Sequence, residues 1–136
     1  MHVRLRTVLL ALLLLTMAAC DNGLTTTTPT STATTSETFT GTLTKNSGVT
    51  HQFAATARGT VTATLSKIDP DSDQTIGVSL GTWNGVSCQI ILANDSAIVG
   101  SALVGTVSGV GNLCLRVYDV GKISTSEDYA VDVVHP

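Results

Sequence analysis

From Thr38 onward, apolar and polar residues alternate one by one, and glycine breaks the pattern at short intervals. Only an extended chain that buries one face repeats with a period of two, so this region is restricted to β-strands. Phe39, Gly41 and Leu43 open the series, and Val49, His51 and Phe53 continue it after an Asn46-Ser47-Gly48 turn. Val61, Ala63 and Leu65 alternate with Thr60, Thr62 and Thr64, the outward threonines reading as the solvated side of an antiparallel sheet. Ile76, Val78 and Leu80 lead to Asn84-Gly85, which suits a tight hairpin because both residues tolerate positive φ. Cys88, Ile90 and Leu92 follow, then one less regular strand over Ala97 to Val107. Leu113, Leu115 and Val117, and finally Tyr129, Val131 and Val133, complete the pattern. About seven or eight strands with no helical segment imply an all-β fold, a single antiparallel β-sandwich of two layers.

The first part of the chain has a different character. Arg4 and Arg6 precede Val8 to Met17, an almost unbroken apolar run, and the small residues Ala18 and Ala19 follow. This is the layout of an export signal, with residues 1–19 removed on maturation. The run is shorter than the ~20 residues a membrane-spanning helix needs. Met17-Ala18-Ala19-Cys20 resembles the bacterial lipoprotein signal, in which small residues precede a cysteine that becomes lipidated. The resemblance implies that Cys20 becomes the acylated N-terminus, anchoring the protein to a bacterial membrane, inner or outer. Each buried acyl methylene contributes ~0.8 kcal/mol, so two or more chains hold a protein there stably.

Residues 20–37 read as a tether. After Cys20 they run DNGLTTTTPTSTATTSE, with no aromatic and one leucine, too little apolar area to offset the entropy of ordering. The globular domain is therefore expected over residues 38–136, enough for one modest core.

Composition excludes several function classes. The chain has seven Lys and Arg against ten Asp and Glu, and loss of Arg4 and Arg6 with the leader deepens the negative balance. With no basic cluster to displace phosphate counterions, nucleic-acid binding is not expected. Once Cys20 is committed to lipid, Cys88 and Cys114 remain, and in an oxidising compartment they are expected to form a disulfide. Two cysteines with no histidine at ligand spacing make a poor zinc site.

Several segments together resemble the bacterial pre-peptidase C-terminal domain. They are Phe39-Thr40-Gly41-Thr42-Leu43, Thr50-His51-Gln52-Phe53, Gly59 to Leu65, Gly111 to Val117, and Tyr129-Ala130-Val131-Asp132-Val133. The likeness covers Glu37 to Val134. Two positions depart from the family pattern: its paired acids become Asp69-Pro70-Asp71-Ser72-Asp73, and its penultimate-strand tyrosine is Leu113. The resemblance implies a jelly-roll-like sandwich, non-catalytic, usually appended to exported enzymes such as peptidases and sometimes binding matrix or polymer.

Asp69, Asp71 and Asp73 place carboxylates at alternate positions, as a calcium loop does, but Gln74 and Leu80 stand where an EF-hand needs Gly and Glu. The competing reading is a solvated turn bent by Pro70, and no cofactor is expected. Trp83, beside the expected hairpin tip, offers a surface for a sugar ring or a partner pocket, or folds back over the sandwich end. No G-x-S-x-G elbow, H-E-x-x-H pair or phosphate-cradling loop is present, so catalysis is not expected. The glycine-rich stretch Gly105 to Gly111 has no helix after it and lacks the positive helix end an anion needs.

These features point to a non-catalytic cell-envelope lipoprotein whose sandwich serves adhesion or assembly, or binds an extracellular polymer or envelope protein. A purely structural surface module, or an accessory partner of a secreted peptidase, is the alternative.

Overall fold

A computed structural model describes residues 32–136. Cys20, its lipidation and most of the expected tether lie outside the described residues. Within them the chain forms eight strands: β1 (Thr35–Leu43), β2 (Gly48–Ala55), β3 (Gly59–Asp69), β4 (Ile76–Trp83), β5 (Cys88–Ala97), β6 (Ala102–Val107), β7 (Gly111–Tyr118) and β8 (Glu127–His135). They build two four-stranded sheets, β1-β8-β3-β6 and β2-β7-β4-β5, every pair antiparallel. Successive strands alternate between the sheets except across the β4–β5 hairpin. This is the double Greek key of a jelly roll, as the sequence led us to expect.

The alternation of side chains explains the layering. Val61, Ala63 and Leu65 of β3 and Tyr129, Val131 and Val133 of β8 are buried from one sheet. Leu113, Leu115 and Val117 of β7 with Ile76, Val78 and Leu80 of β4 face them from the other. The inner strands β3, β8, β7 and β4 thus carry most of the core. A register shift between Leu65 and Lys67 changes the phase of β3, turning Ile68 inward where simple alternation would have buried Lys67.

Four sequence expectations are corrected. First, β1 begins at Thr35, so Thr35, Ser36 and Glu37, read as tether, belong to the sheet. They pair with His135, Val134 and Val133, and the Glu37 carboxylate meets His135 Nε2 at 2.9 Å. A strand on an otherwise open sheet edge captures any adjacent backbone, whatever its side chains.

Second, Asn84-Gly85 is not a two-residue turn. The β4–β5 loop spans residues 84–87, and Gly85 alone there has positive φ, at 98°. The Asn84 side chain accepts from the Val86 and Ser87 N–H groups at 2.9 and 2.8 Å, stabilising a wider loop. Third, Ala97 to Val107 is not one strand. The chain reverses through residues 98–101, with Gly100 at φ 93° and the Ile98 N–H donating to Ser101 Oγ at 3.1 Å. Fourth, the turn before β2 is centred on Asn46, a non-glycine residue at φ 58°, rather than beginning there. Its N–H donates to Asp119 at 2.8 Å, and the same carboxylate also accepts from Gly121, Lys122 and Ile123. Slight burial works against ionisation, but these four N–H groups together hold the Asp119 carboxyl below its ordinary pKa.

Candidate binding cleft

A two-sheet sandwich has two open flanks, where edge strands of opposite sheets run past each other. Here β1 and β2 border one, and β5 and β6 the other. The sequence closes the first with rings. Phe39 of β1 stacks on His51 of β2 at 5.0 Å between ring centroids, and Phe39 and Phe53 lie 6.0 Å apart. His51 Nε2 and the Tyr129 hydroxyl share a hydrogen bond of 2.8 Å, and the His135 ring packs 5.0 Å from Phe53. Burial pushes the Tyr129 hydroxyl up to about 12 and lowers His51 from its ordinary value near 6.5.

The His51 shift has a definite sign. Its stabilising contribution is complete above about pH 6.5, where both folded and unfolded chains hold it neutral. Below that value the unfolded chain takes up a proton that the folded one resists, so stability falls until the folded ring also protonates. Melting temperatures measured from pH 7.5 to 5 should therefore decline, and His51→Gln should flatten that decline.

The second flank is open. Between β5 and β6 lies a cleft of about 370 Å³. Ile91 and Leu92 form one wall, Val104 to Val107 the other, and Phe53, Val61, Leu80, Gly81 and Leu113 the floor. Its residues are apolar apart from Thr106, and none carries a titratable side chain. At the mouth, Ile91 is 68% and Val104 61% exposed. Exposed aliphatics that surround a concave apolar surface mark an interaction site more than isolated ones do.

The local sequence explains the opening. The β4–β5 register shifts between Leu80 and Gly81, so that Leu80 faces Leu92, Gly81 faces Ile90, and Ile91 has no partner. This bulge bends the edge strand that borders the cleft. It is held by the Cys88–Cys114 disulfide, with Cα atoms 5.7 Å apart. The bridge joins β5 to β7, which lie on either side of β4, and so spans β4. The crossing is tight: a Cβ on Gly81 would lie 2.1 Å from the Gln89 carbonyl oxygen. Further along β4 the Tyr118 ring covers Gly77, where a Cβ would lie 2.2 Å from a ring carbon. Arg116 sits 5.4 Å above that ring, and the Tyr118 hydroxyl donates to Asp95 of β5. Burial, then the bond to anionic Asp95, pushes Tyr118 up to about 12.

The residues singled out from sequence do not converge on the cleft. Cys88 and Cys114 form the expected bridge and act on it only through β5. Trp83 is half-buried at the end of β4 and pairs with Cys88 across the ladder. Asp69, Asp71 and Asp73 lie near the β3–β4 connection, where Asp69 forms an exposed ion pair with Lys67 at 3.6 Å. Asp71 accepts the Asp73 N–H at 3.1 Å, and its own N–H donates to Glu127 at 3.0 Å. Among the described residues no group of three or more His, Cys, Asp or Glu is placed to hold a metal ion. The structure therefore does not assemble the three aspartates into a calcium site. Asp69-Pro70 is a cis peptide.

Ile91, Leu92 and Val104 were missed from sequence. The available signal was the Ile90-Ile91-Leu92 run, three apolar residues in succession inside an alternating strand, which marks either burial on both faces or a bulge.

No family model matches the chain, and no curated protein matches it. Solved structures similar in fold include the Yersinia pseudotuberculosis-derived mitogen, with a TM-score of 0.55 and 15% identity over 76% of this chain and 88% of that one. Aeromonas hydrophila PliG, a periplasmic inhibitor of g-type lysozyme, has a TM-score of 0.51 and 16% identity over 72% of this chain and 83% of its own. At these identities the likeness concerns the fold.

Proposed function

We propose that the protein is a non-catalytic, lipid-anchored module of the bacterial cell envelope that binds an extracytoplasmic protein through the cleft between β5 and β6. The cleft carries this reading. One flank of the sandwich is sealed by Phe39, His51 and Tyr129, whereas the other leaves an apolar floor accessible between two edge strands. Such a surface suits aliphatic or aromatic side chains on an extended segment, which can also pair its backbone with a free strand edge. The disulfide suits an oxidising compartment, and the Met17-Ala18-Ala19-Cys20 motif supports anchoring. The pre-peptidase C-terminal resemblance belongs to the same reading, since an accessory binding role is what it implies. Its five segments coincide with β1, β2, β3, β7 and β8. The apolar, uncharged lining of the cleft favours recognition over chemistry.

Cross-linking in intact cells followed by affinity purification tests the proposal. Ile91→Asp and Val104→Asp are expected to abolish capture of the partner while leaving the melting temperature within about 2 °C of the parent, because both side chains are exposed. Undiminished capture by both variants would remove the cleft from the proposal. Capture lost only with Trp83→Ala would move the binding surface to the outer face of the β4 end.

A further inference from the structure

The two ends of the sandwich differ in charge, and the chain enters at only one of them. The antiparallel registers place Thr35 and His135 at the same end as the loops over residues 56–58, 84–87 and 108–110. Two loop tips there are bare aliphatics, Val86 at 86% and Val110 at 81% exposure, the former beside Trp83. Among the described residues, the ionisable side chains at this end are Arg58, exposed in its loop, and Glu37 with His135, which engage each other at 2.9 Å. The opposite end carries Asp69, Asp71, Asp73, Asp119, Glu127 and Asp128 against Lys45, Lys67 and Lys122. Ile98 and Val99, only 51% and 40% exposed, share that acidic end.

We infer that the end bearing Val86, Val110 and Trp83 rests on the surface of the lipid bilayer. This inference rests on the reading of Cys20 as the anchor. Cys20 and Thr35 lie fifteen positions apart in the chain. Attachment at Thr35 makes the entry end the one nearer the anchor along the chain, and full extension of the intervening residues, about 50 Å, lets that end reach the bilayer. Two loop valines alone bind lipid too weakly to hold a free protein, but a tether makes the contact intramolecular and raises its effective concentration. Val86 and Val110 enter the headgroup–acyl boundary, the Trp83 indole lies at headgroup depth, and Arg58 faces lipid phosphates. The acidic end is repelled by anionic lipid. Strands of this length put it about 25–35 Å away, beyond the ~8 Å over which surface charge acts at physiological salt. In this pose the β5–β6 flank faces sideways, free for a partner.

Trp83 is the sole tryptophan and serves as the probe. The chain from Cys20 onward contains the whole core and has one thiol outside the disulfide, so it can be coupled through Cys20 to a maleimide lipid. On vesicles of phosphatidylcholine and phosphatidylglycerol, lipids brominated near the headgroup should quench Trp83 and shift its emission to the blue. Val86→Asp combined with Val110→Asp should abolish both changes with an unchanged melting curve, while Ile98→Asp combined with Val99→Asp should leave them intact. Unquenched Trp83 in the coupled parent, or quenching unaffected by the Val86 and Val110 changes, overturns the inference. Mass spectrometry of the native protein reads acylation separately. An unmodified Cys20 would defeat the anchoring reading and, with it, docking in the cell, whereas a failed quenching result in the coupled chain defeats docking alone.

Discussion

Replacing Gly81 with alanine is expected to destabilise the domain by about 3 kcal/mol, at the upper end of what overpacking costs. The added Cβ would lie 2.1 Å from the Gln89 carbonyl oxygen and 3.0 Å from the Ile90 Cα. Both obstacles are backbone, so no rotamer change relieves them, and β5 must move away from β4. Gly109→Ala is the control, because a Cβ there meets nothing within 4 Å. Urea titration should lower the midpoint for Gly81→Ala, whereas Gly109→Ala should stay within about 0.5 kcal/mol of the parent. If the two variants unfold together, the close approach of β5 to β4 has no energetic weight. Since the strand that must move forms one wall of the cleft, Gly81→Ala should also weaken partner capture at temperatures where the domain remains folded.

Removal of the disulfide is expected to cost slightly more. With Cys88 and Cys114 separated by 26 positions, the chain-entropy model assigns about 3.5 kcal/mol to closing the loop. For a domain of this size that corresponds to a melting temperature lower by about 14–28 °C. Cys88→Ser combined with Cys114→Ser, or reduction under denaturing conditions before refolding, should show the drop by calorimetry. A drop of only a few degrees would mean that strand pairing alone holds β5 in place. The two predictions are coupled. Without the bridge drawing β5 across β4, Gly81→Ala should cost less than it does in the parent, a non-additivity that a double-mutant cycle measures directly.

The parts of this fold that were legible in the sequence are those governed by the period of two. Val61-Ala63-Leu65, Leu113-Leu115-Val117 and Tyr129-Val131-Val133 read as strands because apolar residues recur at every second position, interleaved with threonines in the first, Cys114 and Arg116 in the second, and Ala130 and Asp132 in the third. They occupy central positions in the sheets, where the hydrophobic pattern and the burial coincide. The bridge was also readable, since reading Cys20 as the lipidated residue leaves Cys88 and Cys114 with one possible pairing.

The misreadings fall at edges and bulges. Thr35-Ser36-Glu37 has no strand pattern of its own and belongs to β1 because it pairs with β8. The reversal at Gly100 that divides Ala97 to Val107 depends on a local backbone geometry that alternation does not report. For Asp69, Asp71 and Asp73 the sequence offers a solvated turn bent by Pro70 or a calcium loop, and spacing alone does not decide whether carboxylates converge. The folded chain sends one carboxylate to Lys67 and another to a turn N–H.

Sequence by itself determined that residues beyond the threonine-rich stretch form sheets and that these pack in two layers. Periodicity and residue chemistry are local properties, and each can be read from a few consecutive positions. Only the tertiary structure decided which flank of the sandwich is sealed and which is open. That outcome depends on Phe39 meeting His51, and on one bulge and one bridge drawing β5 over Gly81. Such contacts join residues far apart in the chain, and their energies arise only once the strands are paired in register.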